Sequence, residues 1–241
     1  MRILVTRPSP DAESFAAELR ARGHDAFIEP MMTIEALPAQ DASIDLAGVQ
    51  ALLFTSANGV RVFAARCEGR ALPAFAVGQA TGQAARAAGF EKVFVADGDV
   101  RALAALVRQQ LQPEGGALLH PAARKLAGDL KGELEAGGFS VRRCVLYQTV
   151  AATHFSKNLC VALREGSIDG VSFFSPRTAE AFVRLAFAAG LSEAFISVRA
   201  FCLSRAVSDK VMYLPWCGVT VAEQPTQVSL LTALETIRRE T

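Results

Sequence analysis

The amino-acid sequence predicts an α/β fold in which two similar domains each carry a parallel sheet. Short apolar segments alternate with amphipathic segments of helical period along the whole chain. Strands that are apolar on both faces are typical of parallel sheets covered by helices on either side. The order of these segments also recurs in the second half of the chain, which indicates an internal repeat.

The predicted strands are short and rich in aliphatic and aromatic residues. In chain order they cover residues 3–6, 26–30, 51–55, 74–77, 92–96, 117–120, 141–147, 170–174, 199–203 and 211–214.

Helices are predicted between these strands, because apolar residues recur three or four positions apart, as at Phe15 and Leu19. Two longer stripes predict helices through Leu103, Leu106, Val107 and Leu111, and through Leu126, Leu130 and Leu134. Glycine adopts the positive φ that closes a last helical turn. We therefore expect helices to end at Gly23, at Gly89 and at 137–138.

The repeat rests on three matches in the same order, at offsets close to half the chain length. Residues 3–23 and 117–138 both carry a strand, a polar turn, a helix and a terminal glycine. Next, the segment around Ser56 matches that around Ser175, and Gly78 matches Ser204. The matches favour two equivalent halves; the alternative is the general similarity of α/β units to one another.

Two extended segments, 31–37 and 147–153, follow the matched units and predict a two-stranded crossing between the domains. Two crossings imply a discontinuous domain that contains both chain termini. We expect the active-site cleft to lie between the two domains.

Composition excludes several classes of protein. Lys and Arg number 25 against 24 Asp and Glu, so a broad nucleic-acid surface is not expected, although a local anion site is compatible with this balance. The five dispersed cysteines predict reduced thiols, and the three histidines predict structural roles and no metal site. With neither a signal peptide nor a membrane span in the sequence, we expect a cytoplasmic protein.

Polar residues follow several predicted strands, where parallel sheets bind ligands. Small hydroxyl and amide side chains there begin helices, whose first N–H groups lack internal partners and favour anions. The alternative is that Ser56 and Ser175 only cap their helices. The candidate binding residues are Arg7, Thr55, Ser56, Asn58, Gly78, Thr81, Arg124, Ser175 and Ser204. Glycine-rich nucleotide motifs are missing from the sequence, which predicts chemistry without a cofactor.

Tyr147 is the candidate catalytic residue, because it follows an apolar strand and opens the second crossing segment. A phenol with a pKa of about 10 stays protonated at neutral pH, so it suits a weak general acid. The alternative is a ring that packs between the domains with its hydroxyl in water.

These residues together resemble the uroporphyrinogen-III synthase family over essentially the whole chain. The resemblance rests on the ordered motifs Ile-Leu-Val-Thr-Arg-Pro at 3–8, Phe-Thr-Ser-Ala-Asn at 54–58, Val-Gly-x-x-Thr at 77–81, Leu-Tyr-Gln-Thr at 146–149 and Phe-Phe-Ser-Pro at 173–176. It implies two α/β domains joined by a two-stranded ladder, with residues 1–36 and 150–241 in one and residues 37–149 in the other.

The resemblance also implies an activity: a lyase that cyclises hydroxymethylbilane, a linear tetrapyrrole with eight carboxylates, to uroporphyrinogen III for haem biosynthesis. Water is lost, the last pyrrole ring is inverted through a spiro intermediate, and no cofactor takes part. Tyr147 would assist departure of the hydroxyl, and the other candidate residues would bind carboxylates. Val207 stands where the family often has threonine, so no substrate contact is expected from its side chain.

The resemblance further implies a monomer, with a transient contact to the enzyme that supplies its substrate. Two other classes of protein remain as alternatives. A two-lobed binding module would leave hydroxymethylbilane to close without inversion, and a nucleotide-dependent transferase would be stabilised by nucleotide.

Overall fold

Two β-sheets organise the chain in a computed structural model that describes residues 1–38, 44–126 and 128–240. Its internal contacts divide the chain into a first unit, Met1–Thr33 with Val150–Thr241, and a second unit, Ile34–Thr149. The α/β class predicted from the alternation of apolar and amphipathic segments is confirmed.

The strands are β1 (Arg2–Val5), β2 (Asp25–Ile28), β3 (Met32–Ala36), β4 (Val49–Phe54), β5 (Ala74–Val77), β6 (Val93–Ala96), β7 (Ala117–Ala123), β8 (Val141–Ala151), β9 (Gly170–Phe173), β10 (Arg199–Cys202) and β11 (Gly218–Val221). The helices are α1 (Asp11–Ala21), α2 (Ala57–Ala64), α3 (Gln79–Ala87), α4 (Val100–Gln110), α5 (Leu130–Glu135), α6 (Lys157–Arg164), α7 (Pro176–Ala188), α8 (Arg205–Val211) and α9 (Gln227–Glu240).

The sheet of the first unit has the order β11-β10-β9-β1-β2, and its paired strands run parallel. Alternate strand residues bury against opposite faces. Leu4 and Phe173 belong to a core formed with α6, α7 and α8, whereas Ile3 and Phe201 pack against α1 and α9. Helices therefore cover both faces, which explains why these strands are apolar throughout.

The sheet of the second unit has the order β3-β8-β7-β4-β5-β6, with β8 through β6 parallel. Leu53 and Leu118 face α4 and α5, and Phe54 and Leu119 face α2 and α3. Both faces are again covered. As in the first unit, the strand order reverses within the sheet, here between β4 and β7 and there between β1 and β9.

The edge strand β3 pairs antiparallel with the long strand β8. Leu37 N–H donates to the Leu146 carbonyl (2.9 Å), and Ala152 N–H donates to the Met31 carbonyl (2.9 Å). The two segments predicted to be extended, 31–37 and 147–153, therefore form a two-stranded ladder where the chain passes between its units.

The internal repeat is visible in the topology. The matches found in the sequence equate β1, β2, β9 and β10 with β7, β8, β4 and β5, and the strand order of the sheets adds β11 with β6. Under that equation the two sheets have the same strand order. The faces correspond as well, because α1 and α9 share one face in the first unit as α5 and α4 do in the second. Two similar parallel α/β units were predicted, and the structure contains them.

Two predicted elements are wrong. Residues 211–214 are not a strand: α8 ends at Val211, and the strand is β11. The reason is that Val207, Val211 and Leu214 bury one side at helical spacing. Leu126 lies outside the helix predicted through it, because the Asp129 side chain accepts from Gly132 N–H and fixes the start of α5 at Leu130.

None of the helices in the described part of the chain has the length and apolar character needed to cross a bilayer.

We expect Phe182→Ala to lower the free energy of unfolding of the first unit by about 3–5 kcal/mol, because it leaves a cavity in an aromatic cluster. The Phe182 ring contacts Phe155, Phe173 and Phe195 at centroid distances of 5.0, 5.2 and 5.5 Å, and stacks on Trp216 at 6.2 Å. Since Trp216 is the single tryptophan, its fluorescence in a urea titration measures this transition.

The matched control is Phe187→Ala. Phe187 lies on the same helix but is 52% exposed, so we expect a change within about 0.5 kcal/mol. Equal losses in the two variants would contradict the packing described for α7.

Candidate active site

The point at which the strand order of the second unit reverses is where open parallel sheets bind ligands. The loops after β4 and β7 begin there and lead to helices on opposite faces. Thr55, directly after β4, meets His120 on β7, with 3.2 Å between the Thr55 Oγ1 and the His120 Nε2. Two polar groups from neighbouring strands thus converge at the carboxyl edge.

His120 is a buried imidazole, 2% exposed. Burial, with the positive charge of Arg143 as a smaller cause, lowers the pKa of His120 to about 4. Arg143 lies opposite His120 in the pairing of β7 with β8. At neutral pH the ring is uncharged, so each of its nitrogens has a single role as donor or acceptor.

Ser56 joins two parts of the site. Its backbone is extended (φ −159°), and its hydroxyl accepts from Asn58 N–H at 3.1 Å, which caps α2. A side-chain hydrogen bond also links Ser56 to Tyr147 on β8. Ser56 therefore caps α2, as one of the two interpretations predicted, and it also contacts the candidate catalytic residue.

The Tyr147 ring is 4% exposed and belongs to the core that the sheet forms with α2 and α3. Burial raises the pKa of Tyr147, and the hydrogen bond with Ser56 lowers it by less. The phenol is thus protonated at neutral pH and held at a defined position. The ring packs within the second unit and the hydroxyl has a protein partner, and the role of Tyr147 as a general acid stays a prediction.

Gly59 allows α2 to approach Tyr147 closely. A Cβ at this position would lie 3.0 Å from the Pro121 carbonyl oxygen and 3.8 Å from the Tyr147 hydroxyl. Backbone at 3.0 Å cannot move away cheaply, so the absence of a side chain fixes the spacing between α2 and β7.

Gly78 and Thr81 begin α3, the next helix along the same edge. Gly78 has φ +75°, a conformation that favours glycine, and its N–H donates to the Ala96 carbonyl at 2.8 Å. No side chain caps this helix, so its first N–H groups remain donors for a ligand. Thr81 is buried within the first turn.

Asn58 and Arg124 occupy different surroundings. The Asn58 Oδ1 accepts from Arg61 at 2.9 Å, which engages the amide within α2. Arg124 N–H donates to the Tyr147 carbonyl at 2.8 Å, while its side chain is exposed. Arg143 donates to the carbonyls of Ala123 and Arg124, both at 2.7 Å, and so fixes the start of this loop.

The remaining candidates lie in the first unit. Ser175 caps α7 and bonds to the Thr178 hydroxyl at 2.8 Å, whereas Ser204 precedes α8 without a capping bond. Arg7 is engaged by the protein itself: its guanidinium donates to Gln227 (2.6 Å), pairs with Asp11 (3.2 Å) and lies 4.1 Å from the Phe174 ring centroid.

The structure therefore brings Thr55, Ser56 and Tyr147 together, and it adds His120 and Gly59. Sequence reasoning assigned His120 a structural role. The signal that distinguishes it is an imidazole directly after three apolar residues of a buried strand, close to the edge already chosen for ligand binding. Within the described residues no group of three or more His, Cys, Asp and Glu side chains is arranged to hold a metal ion.

The fold and the site define a class: a duplicated parallel α/β protein whose polar groups gather at the carboxyl ends of its strands. The chain belongs to the uroporphyrinogen-III synthase family, since the family described as uroporphyrinogen-III synthase HemD matches residues 13–232. The predicted membership is confirmed. The chain is accordingly a cyclising lyase of tetrapyrrole biosynthesis that acts on hydroxymethylbilane.

Solved structures have the same fold. A uroporphyrinogen-III synthetase from Helicobacter pylori is similar with a TM-score of 0.64 and 16% identity, over 99% of this chain and 100% of that one. A mutant uroporphyrinogen III synthase from Thermus thermophilus is similar with a TM-score of 0.59 and 21% identity, over 100% of both chains.

We expect the His120 ring to titrate near pH 4, and we expect stability to fall by about 3 kcal/mol as the pH drops from about 6.5 to 4. In that range the unfolded chain binds a proton that the folded chain does not, so this contribution is complete above pH 6.5 and lost on acidification. The ring resonances of His120 followed by NMR against pH give the pKa directly.

Denaturant titrations at pH 7 and pH 4.5 complete the test, with His120→Gln as the matched variant. The variant should lose less stability between the two pH values than the unmodified protein. Equal losses would show that the acid sensitivity arises elsewhere.

Proposed function

We propose that the chain closes hydroxymethylbilane to uroporphyrinogen III with loss of water and inversion of the last ring, at the carboxyl edge of the second sheet. The observation that carries this assignment is the Ser56–Tyr147 contact beside the Thr55–His120 pair. It joins a protonated phenol to hydroxyl groups at the edge where parallel sheets bind ligands.

Carboxylate binding is supported by the helix starts. The uncapped first turn of α3, entered through Gly78, presents backbone N–H groups, and the helix dipole favours negative charge there. Thr55 and Ser56 add hydroxyl groups, and the exposed Arg124 adds a cation. Because the chain carries a net charge of only +1, backbone donors would supply much of the attraction for eight carboxylates.

The first unit would contribute the corresponding helix starts. Ser175 caps α7, and Ser204 stands before α8 without a capping bond. Arg7, held by Asp11 and Gln227, would present a cation whose position is already fixed. In this proposal Asn58 contributes through its place in the first turn of α2, since its amide is engaged by Arg61.

Tyr147 would act as the general acid. Its raised pKa keeps the proton on the phenol, and Ser56 fixes the hydroxyl. Transfer of that proton to the hydroxymethyl oxygen lets the carbon–oxygen bond break and water leave. The resulting electrophilic carbon is attacked by the last ring, and the proton that this ring loses on closure restores the phenol. Holding the reacting carbons in contact would contribute the larger part of the selectivity.

We further propose that residues 1–36 with 150–241 and residues 37–149 are the two domains of a monomeric, cytoplasmic enzyme. The odd number of dispersed cysteines supports a reducing compartment. A transient contact with the enzyme that makes hydroxymethylbilane would limit spontaneous closure of this unstable substrate.

We expect Tyr147→Phe to slow turnover by about 100-fold, the lower end of what a general acid contributes, while the fold is retained because the ring still fills its place. The measurement is the rate and isomer distribution of the porphyrinogen formed from hydroxymethylbilane. The unmodified protein should give the type III isomer, whereas a binding module would leave the type I product of spontaneous closure.

Tyr213→Phe is the matched control, because Tyr213 is the second of two tyrosines and is 72% exposed. It should leave turnover unchanged. A Tyr147→Phe enzyme of near-normal rate would remove the phenol from the mechanism and leave geometry as the source of selectivity.

Gly78→Ala tests the backbone anion site. Nothing lies within 4 Å of the added Cβ, so the change acts through the backbone alone: φ +75° with ψ 155° is a conformation open essentially to glycine only, and it costs about 1–3 kcal/mol in other residues. We expect it to raise KM for hydroxymethylbilane more than Thr81→Val does, because it moves N–H donors, whereas Thr81→Val removes one hydroxyl and should raise KM by about 2- to 10-fold.

Gly190→Ala introduces an alanine at positive φ elsewhere in the chain, since Gly190 has φ +64° and open space around it. The KM of the Gly190→Ala enzyme for hydroxymethylbilane should not change.

A complete loss of substrate binding in the Thr81→Val enzyme would contradict an anion site distributed over several donors.

A further inference from the structure

His120 and Thr55 form a polar pair that the repeated scaffold does not require. In the first unit the position equivalent to His120 is Val5, because Ile3 and Leu4 face the same layers as Leu118 and Leu119; Val5 is apolar and fully buried. The equivalent of Thr55 is Phe174, which is apolar. The two equivalent positions are therefore both apolar in the first unit, whereas the unit that contains Tyr147 has a histidine–threonine pair.

Burying this imidazole is unfavourable unless its ring atoms are paired. Residues 118, 119 and 122 of the same strand are buried and apolar, so an aliphatic side chain would suit the position at least as well for packing. The Thr55 hydroxyl, at 3.2 Å from the His120 Nε2, is the polar group that the ring meets at the carboxyl edge. Thr55 is only half-buried, so its oxygen links the buried ring to the ligand-binding edge.

Because the His120 ring is neutral, the direction of its hydrogen bond with Thr55 determines whether the Thr55 hydroxyl can donate to a ligand. If Nε2 carries the proton, the Thr55 oxygen accepts from it, and the Thr55 hydroxyl proton is free to donate elsewhere. If Nε2 is bare, Thr55 must donate to the ring and offers only lone pairs, which repel a carboxylate. A substrate with eight carboxylates is served by the first arrangement.

We propose that His120 is a positioning residue for the reaction, whose Nε2–H holds the Thr55 oxygen so that the Thr55 hydroxyl proton points to a carboxylate of hydroxymethylbilane. The inference rests on the proposed function and extends it, because it assigns one carboxylate contact to a side chain and explains why a histidine occupies this position on β7. His120 itself does not touch the substrate in this arrangement.

The test compares two replacements of His120. His120→Leu keeps the approximate size and removes the donor, and His120→Gln keeps an N–H near the position of Nε2. We expect His120→Leu to raise KM for hydroxymethylbilane by about 3- to 10-fold with kcat changed by less than about twofold, as for the loss of one hydrogen bond in substrate binding. His120→Gln should restore most of the lost affinity.

Thr55→Val and His120→Leu together form a double-mutant cycle. Thr55→Val should raise KM by about the same factor as His120→Leu, and the double variant should be no worse than either single variant, because both changes remove the same contact. Thr6→Val, which removes a buried threonine hydroxyl from the first unit, is the matched control and should leave KM unchanged.

A structural histidine would give a different result. In that case His120→Leu changes the melting temperature but leaves KM within twofold in the folded protein, which would overturn the proposal, as would additive effects in the double variant. Nitrogen NMR of the ring is an independent check, since the Nδ1–H tautomer would also overturn it.

Product analysis of the unmodified enzyme distinguishes failure of the His120 proposal from failure of the proposed function. Type III product together with unchanged KM values in the variants rejects the role of His120 alone. Absence of type III product from the unmodified enzyme rejects the proposed function, and the positioning role with it.

Discussion

The direction of the strands is the constraint on which the site depends. Parallel strands bring all their carboxyl ends to one edge, and the reversal of strand order between β4 and β7 sends the following loops to opposite faces. The edge is left open at that point. Thr55 and His120 meet there, and Ser56 reaches Tyr147 from the first residue position before α2.

The duplication explains how one scaffold came to hold two versions of this edge. Both units use the strand order of a doubly wound sheet, and both cap the helix after the central strand with serine, Ser56 in one and Ser175 in the other. Their remaining polar groups differ. The second unit has a buried tyrosine and a neutral histidine, whereas in the first unit Arg7 is bound by side chains of its own unit.

The apolar surroundings of Tyr147 and His120 make each hydrogen bond at the site stronger than it would be in water. Burial keeps the proton on Tyr147 and keeps the charge off His120. Neither group can then act as a strong base or as a fixed cation. The buried side chains of the site are therefore neutral donors, to which backbone N–H groups and the exposed Arg124 add, and this suits a reaction in which the geometry of closure determines the product.

The class of fold, the repeat and most elements could be predicted from the residues, because strand apolarity and helical period are local patterns that survive folding. The sequence also located the strand ends where Thr55, Ser56 and Gly78 lie. It missed the continuation of α8 to Val211, since a short apolar run fits a strand or a buried helix equally well. Tertiary structure alone decided that His120 meets Thr55 and that Ser56 meets Tyr147. Each of those contacts joins residues more than 60 positions apart. The protonation of His120 and Tyr147 depends on burial, which no local sequence pattern encodes.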